Sequence, residues 1–218
     1  MTQIEKKIET PSRTGKVLHT AAAYDMLIWL VTLGRERAFR EKMLRLAHLE
    51  PGESVLDVGC GTGTLAIAAK RQVGTTGTVY GVDASPEMIA RAAKKAKKAG
   101  VKVVFNKGFA QSLPFPDAQF DVVLTTVMLH HLPRTARQEL AVEIRRLLRP
   151  GGRVLAIDFG GTSRRRKSLL DHFHRRHGHV ELKDIIAVLN AAGLNVRESG
   201  AVGMRDLQFV LATASCGT

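Results

Sequence analysis

Two periodicities divide this 218-residue chain. After a polar start, residues 16–33 carry Tyr24, Leu27, Ile28, Trp29 and Val31, and residues 35–49 carry Phe39, Met43, Leu46 and Ala47. Apolar residues spaced three and four apart mark one face of a helix, so two helices are expected there. From residue 53 the pattern changes to short apolar runs separated by amphipathic stretches. Runs at 53–58, 77–83, 101–106, 120–126 and 153–159 predict buried strands; 64–72, 85–100, 135–148 and 182–192 predict helices. Ser85-Pro86-Glu87 is a helix start, with a hydroxyl N-cap, a proline in the first turn and an acid near the positive end. Gly100 and Gly193 are helix stops. Residues 195–201 and 207–213 predict two last strands. The turn Val202-Gly203-Met204-Arg205 is too short for a parallel crossover, so these two must pair antiparallel.

Strands alternating with helices imply an α/β fold: a seven-stranded, mostly parallel sheet with helices on both faces and its last two strands antiparallel. The length suits one domain. Residues 1–15 read as a flexible tail, 16–50 as an N-terminal helical cap, and 51–218 as the main domain, with 160–180 a basic loop. No internal repeat or low-complexity run interrupts this order.

The first strand leads into Asp57-Val58-Gly59-Cys60-Gly61-Thr62-Gly63 and then a helix. Glycines at alternate positions let the backbone turn tightly and approach a ligand without Cβ clashes. The helix start beyond offers free N–H groups and partial positive charge, suited to a carboxylate or a phosphate. Open α/β sheets bind ligands at this end of their strands, and an acid closing the second strand, here Asp83, can accept hydrogen bonds from ribose hydroxyls. Ala84, Pro86 and Met88 then flank the base. The spacing is not the dinucleotide G-x-G-x-x-G, and no G-K-[ST] of a phosphate loop is present.

The motifs VLDVGCGTG and GVDASPEMI resemble those of the Rossmann-type, class I S-adenosylmethionine-dependent methyltransferases. GFAQSLPF (108–115), FDVVLTTVMLHHL (120–132) and LRPGGRVLAIDF (148–159) are similar to later motifs of the branch that includes ubiquinone/menaquinone-biosynthesis methyltransferases. The resemblance implies S-adenosyl-L-methionine as methyl donor and S-adenosyl-L-homocysteine as product. It implies that Asp57 places the loop and the donor's amino group, and that Gly59, Cys60, Gly61 and Gly63 pack against the donor. Thr126 contributes backbone near the sulfonium, and Tyr24 closes over the site from the N-terminal helices. That branch usually has an acid where this chain has Phe109, so the adenine falls to the backbone of Phe109 and Ala110, or to Gln111.

The acceptor is less defined. Ring-carbon methylation of pyrimidines needs a cysteine nucleophile. Of the two cysteines, Cys60 lies inside the glycine loop and Cys216 far from it. The fourth motif, Thr125-Thr126-Val127-Met128, differs from that of nucleobase amino-methylating enzymes. Its apolar character favours a small hydrophobic or amphipathic acceptor, such as a quinone precursor, a phospholipid amine or a secondary metabolite. His130 and His131 follow the fourth strand, where an imidazole titrating near neutrality can act as base; packing and backbone bonding are the other roles open to them. Asp158 ends the fifth strand and can orient an acceptor hydroxyl or amine.

Charge widens the choice. Lysine and arginine outnumber acids 33 to 20, a formal charge of +13. Such a surface attracts nucleic acid or an anionic membrane, or serves solubility alone. The segment 160–180 gathers Arg164, Arg165, Arg166, Lys167, Arg175 and Arg176 with His172, His174, His177 and His179. It completes no ligand set for a metal and reads as a solvated basic lid. The polar N-terminus has no signal-peptide core, and a cytoplasmic protein, peripheral to a membrane or free, is expected. Two other activities stay open: RNA modification, and cofactor binding without catalysis.

Overall fold

The structure is a computed structural model and describes residues 36–160, 180–204 and 206–215. The expected tail, the helix at 16–33 with Tyr24 and Trp29, nearly all of the basic loop, and Cys216 lie outside these residues. Helix α1 (Glu36–Leu46) is followed by β1 (Ser54–Val58), α2 (Thr64–Val73), β2 (Thr78–Asp83) and α3 (Pro86–Lys98). Then come β3 (Val104–Lys107), β4 (Phe120–Thr126), a 3-10 turn (Leu129–His131) and α4 (Arg134–Leu147). Strand β5 (Leu148–Phe159), α5 (Leu182–Ala191), β6 (Leu194–Ala201) and β7 (Leu207–Ala214) complete the order.

Several ends differ from the sequence pattern for local reasons. Helix α1 stops three residues before Leu49 because His48 turns left-handed (φ 48°), closed by Leu49 N–H donating to the Leu44 carbonyl at 3.2 Å. Strand β5 begins at Leu148 rather than Arg153. Leu148 pairs with Phe120, and the ladder resumes at Val122–Arg153, so Pro150-Gly151-Gly152 forms an irregularity within the strand. Strand β3 starts at Val104, later than expected. Ser85 does cap α3, accepting from Met88 N–H at 3.3 Å.

The strands form one sheet in the order β3-β2-β1-β4-β5-β7-β6. Strands β1 to β5 are parallel, and β7 lies antiparallel between β5 and β6. The order reverses direction between β1 and β4, and the crevice at the carboxyl ends of those strands is where open α/β sheets hold ligands. Alternation sends successive side chains to opposite faces. Val55, Val122, Leu124, Leu155 and Ile157 pack with Phe39 and Met43 of α1 and Leu65 and Ala69 of α2. Leu56, Val58, Val123, Val154 and Ala156 pack with Leu140 and Ile144 of α4 and Ile185 and Leu189 of α5. By the same parity, Asp57 faces α1 and α2, while Asp158 faces α4 and α5.

Candidate functional site

The glycine loop leaves β1 and returns at once to the sheet. Gly59 and Cys60 N–H both donate to the Val82 carbonyl, at 2.8 and 3.0 Å, and Gly61 N–H donates to Asp83 Oδ2 at 2.9 Å. Gly59 (φ 73°) and Gly63 (φ 76°) sit in the left-handed region. A Cβ at Gly59 would meet Met128 Cγ at 2.5 Å, and one at Gly63 would meet Ala92 Cβ at 2.8 Å. The loop therefore lies as close to its neighbours as backbone allows. Gly63 also occupies the N-cap of α2 without giving it a side-chain acceptor.

Asp83 is pinned by its surroundings. Its Oδ1 accepts from Ser85 N–H at 2.9 Å, so each carboxylate oxygen is fixed by one backbone donor and keeps a lone pair for another. Burial raises its pKa, against the lowering effect of the Ser85 and Gly61 N–H groups. Ala84 beside it is half-buried, and Met88 is buried. Gly108 N–H donates to the Asp83 carbonyl at 3.1 Å, which places Phe109 next to this acid; Phe109 is exposed and Ala110 half-buried.

Asp57 is different. It is 1% exposed, and neither carboxylate oxygen has a hydrogen-bond partner. Burial pushes its carboxyl up to about 7, Arg40 pulls it down and Asp83 pushes it up further. The Ala66 N–H is close enough to lower it slightly, but no hydrogen bond forms. Arg40 comes from α1, is 8% exposed, and its Nε also lacks a partner. Asp57 and Arg40 line one small, partly open pocket with Gly59, Cys60, Thr62, Thr64, Leu65 and Thr126. Burial raises the Cys60 thiol well above its usual range, with Asp57 and Asp83 adding to it, which leaves it a poor nucleophile.

On the opposite face, Asp158 is fully buried and fully bonded. His130 Nδ1 lies 2.7 Å from Oδ1, His130 N–H donates to Oδ2 at 3.1 Å, and Phe159 N–H donates to Oδ1 at 2.7 Å. A carboxylate only accepts, so Nδ1 carries a proton, and in the neutral ring Nε2 is the acceptor nitrogen. The His131 ring stacks on His130 with centroids 3.9 Å apart. Between the two faces, Val127 has φ 54°, a strained value for a β-branched residue, with its N–H bonded to the Ile157 carbonyl at 2.7 Å.

Residues 55–152 match the model of a methyltransferase domain. The chain is 32% identical over 158 residues to a ubiquinone/menaquinone biosynthesis C-methyltransferase of Cupriavidus metallidurans, covering 71% of this chain and 64% of that one. A protein of the same name from Ralstonia pickettii is 33% identical over 158 residues, with 71% and 64% covered. Over this domain the chain is similar to class I S-adenosylmethionine-dependent methyltransferases. These curated relatives carry quinone-biosynthesis C-methyltransferase names, and the chain spans about 64% of their length.

Solved structures share the fold. An S-adenosylmethionine-dependent methyltransferase of Aquifex aeolicus superposes with a TM-score of 0.73 at 24% identity, over 90% of this chain and 99% of that one. The [4+2]-cyclase SpnF superposes at 0.70 with 18% identity, over 94% and 99%. The fold is thus shared with a protein named for another reaction, and activity has to be argued from the site.

The carboxyl end of the sheet collects Asp57, Gly59, Cys60, Gly61, Gly63, Asp83, Ala84, Phe109, Ala110 and Thr126 along one rim. His130, His131 and Asp158 form a second group on the α4–α5 side. Tyr24 lies outside the described residues. Arg40 is the polar residue that sequence reading missed. Its signal was its register: three before Met43 and four before Leu44, it stands on the buried stripe of α1. Among the described residues, no helix is long and apolar enough to cross a membrane.

Proposed function

We propose that this protein transfers a methyl group from S-adenosylmethionine to a small hydrophobic or amphipathic acceptor, with a quinone precursor as the first choice. The observation that carries the reading is the join between the glycine loop and Asp83, set beside a pocket lined by the Asp57 carboxyl, which has no hydrogen-bond partner. The residues fit the donor. Asp83 keeps acceptor capacity for ribose hydroxyls, Phe109 offers apolar surface for a base, and the Asp57 pocket accepts a charged tail. When bound, S-adenosylmethionine supplies a methyl group on a cationic sulfur, open to in-line attack. Thr126 and the loop hold that end of the site, and much of the acceleration comes from orientation and exclusion of water.

His130 supplies the base. Asp158 fixes its tautomer, so Nε2 takes a proton from an acceptor hydroxyl or amine as that group becomes a nucleophile. A phenolic acceptor gains most, because its ring carbon or oxygen is a weak nucleophile until the proton leaves. The quinone-biosynthesis names of the relatives support this acceptor class. Purified protein is expected to gain thermal stability with S-adenosylhomocysteine, and labelled donor incubated with a host-cell extract is expected to mark a small apolar molecule. Absence of any thermal shift, or of any labelled product, overturns the reading.

The basic surface favours a second reading, an RNA acceptor. Lys94, Lys97 and Lys98 of α3 are exposed, and the chain carries +13. A salt titration in a gel-shift assay decides it: no binding to RNA at low salt removes the RNA reading. Sedimentation with anionic liposomes tests peripheral membrane contact in the same way.

A further inference from the structure

We infer that Gln208 is a specificity-determining residue for the acceptor: its carboxamide, seated on Gly160, binds a second oxygen on the aromatic ring whose first oxygen gives its proton to His130. The inference rests on the proposed function and deepens it, assigning a role to a residue of β7 that none of the sequence motifs contains.

The placement follows from strand parity. Val154 and Ala156 of β5 and Val210 and Ala212 of β7 all pack on the α4–α5 side. Asp158 and Gln208 continue that parity and are register partners. Gly160 N–H donates to the Asp206 carbonyl at 2.8 Å, so the ladder runs one residue beyond β5. Gly160 is thereby the diagonal neighbour of Gln208 on the same face. His130 reaches Asp158 from the turn that follows β4, while Gln208 stands on the β7 side of β5. Base and carboxamide flank one buried carboxylate at the carboxyl end of the sheet.

Gly160 gives the carboxamide its seat. A Cβ at Gly160 would lie 2.4 Å from Gln208 Cδ, 2.6 Å from Nε2 and 2.7 Å from Oε1. The amide group thus occupies the space that any side chain at Gly160 would fill. Gln208 is half-buried, and among the described residues no hydrogen bond ties its carboxamide down. Asp158 is fully buried and already bonded to His130 and Phe159, which leaves reading of the acceptor to Gln208.

The chemistry of the group selects the ligand. A carboxamide has two donor hydrogens and an acceptor oxygen, so it pairs with a ring hydroxyl or a ring carbonyl alike. Being neutral, it has no preference for an anion or an ammonium group. An acceptor with bare hydrocarbon at that place would desolvate the amide and leave it unpaired, and a polar group left unpaired is how a site rejects an analogue lacking one hydroxyl.

The test is methyl transfer from labelled donor to hexylhydroquinone, kept reduced under nitrogen, and to ortho- and meta-hexylphenol, which each lack one of its hydroxyls. Wild type is expected to prefer the hydroquinone. Gln208→Ala is expected to lower the hydroquinone-to-phenol ratio of kcat/KM by about 3- to 10-fold, as for one lost neutral hydrogen bond. Gly160→Ala should lower the same ratio equally, because its methyl group displaces only the end of a flexible side chain. In a Gln208→Ala background Gly160→Ala should add nothing, since the two changes remove one interaction. Additive losses in the double variant overturn the inference. So does an equal loss for hydroquinone and phenols in either single variant, which would mean that the residue acts on the fold or on the His130–Asp158 pair. Wild type that methylates all three equally well overturns it too, and that measurement needs no variant. If wild type methylates none of them, the phenolic acceptor of the proposed function fails first and this inference with it.

Discussion

Asp57 and Asp158 occupy equivalent places and are in opposite states. Each is the next-to-last residue of a parallel part of the sheet, each is followed by one residue and a glycine, and each is buried. Asp158 receives three hydrogen bonds from His130 and Phe159; Asp57 receives none. Strand parity sends them to different faces. The difference separates a finished polar network from one left open. A satisfied buried carboxylate fixes its neighbours. An unsatisfied one stores free energy that an incoming cation releases.

The strongest way to break this comparison acts on the satisfied side. His130→Ala is expected to lower methyl transfer to a protic acceptor by about 10²- to 10⁴-fold, the usual range for a lost general base. S-adenosylhomocysteine affinity should not change, because His130 belongs to the other face. A parallel loss of affinity would show that the two groups are one site. Asp158→Asn should give a smaller loss of rate, accompanied by an altered pH–rate profile, because it disturbs the His130 tautomer.

Asp57→Asn gives the next effect, and it has two signs. The wild-type carboxyl lies at about 7 in the folded chain against 3.8 for an ordinary aspartate. A folded pKa above the unfolded value means that folding takes up a proton between those limits. Stability from this group is then greatest below about pH 4, declines as pH rises towards 7 and is level above, a loss on the order of 4 kcal/mol. The variant should therefore be more stable than wild type at pH 8 in denaturant melts, with the pH slope removed, while losing cofactor affinity. A variant less stable than wild type at pH 8 contradicts this account.

Gly59→Ala joins the two sides. Its Cβ would meet Met128 at 2.5 Å from a left-handed backbone, a destabilisation of about 1–3 kcal/mol. Because Met128 precedes the 3-10 turn bearing His130, both cofactor affinity and turnover should fall, and a melting curve would measure the first cost directly. The mildest test is pH alone. Binding a cationic ammonium needs ionised Asp57, so S-adenosylhomocysteine affinity should drop about tenfold per pH unit below 7, with one proton released. The groups acting on Asp57 are Arg40 from α1, Asp83 from β2 and the Ala66 N–H of α2. The Asp57→Asn variant should show no such slope.

Much of this arrangement was legible beforehand. Strand β4 spans Phe120–Thr126 as its apolar run implies, and Ser85 caps the helix its sequence announces. Asp83 could be placed at the loop because a strand end and a glycine turn are both local patterns. The His130–Asp158 contact was not, since it joins residues 28 apart and only the packing of β5 against the 3-10 turn sets their distance. Both residues were nevertheless candidates, because each follows from a strand end. Arg40 was hidden by composition. In ERAFREKMLRL an arginine resembles a solvated face, and its burial depends on α1 docking beside α2. The strain at Val127 has no sequence signature, since a left-handed valine is imposed by its surroundings.

The position of β7 has a consequence for the order of assembly. Strands β1, β2 and β3, with the glycine loop and Asp83, come from one continuous stretch and can pair as soon as residues 54–107 are available. Strand β5 keeps a bare edge until residues 207–214 slot between it and β6, pairing Asp158 with Gln208. As the chain leaves the ribosome, the half bearing the glycine loop has its partners first and the half bearing His130 and Asp158 last. The late half exposes an unpaired strand edge during that interval, which makes it the part of this protein most open to intermolecular strand pairing.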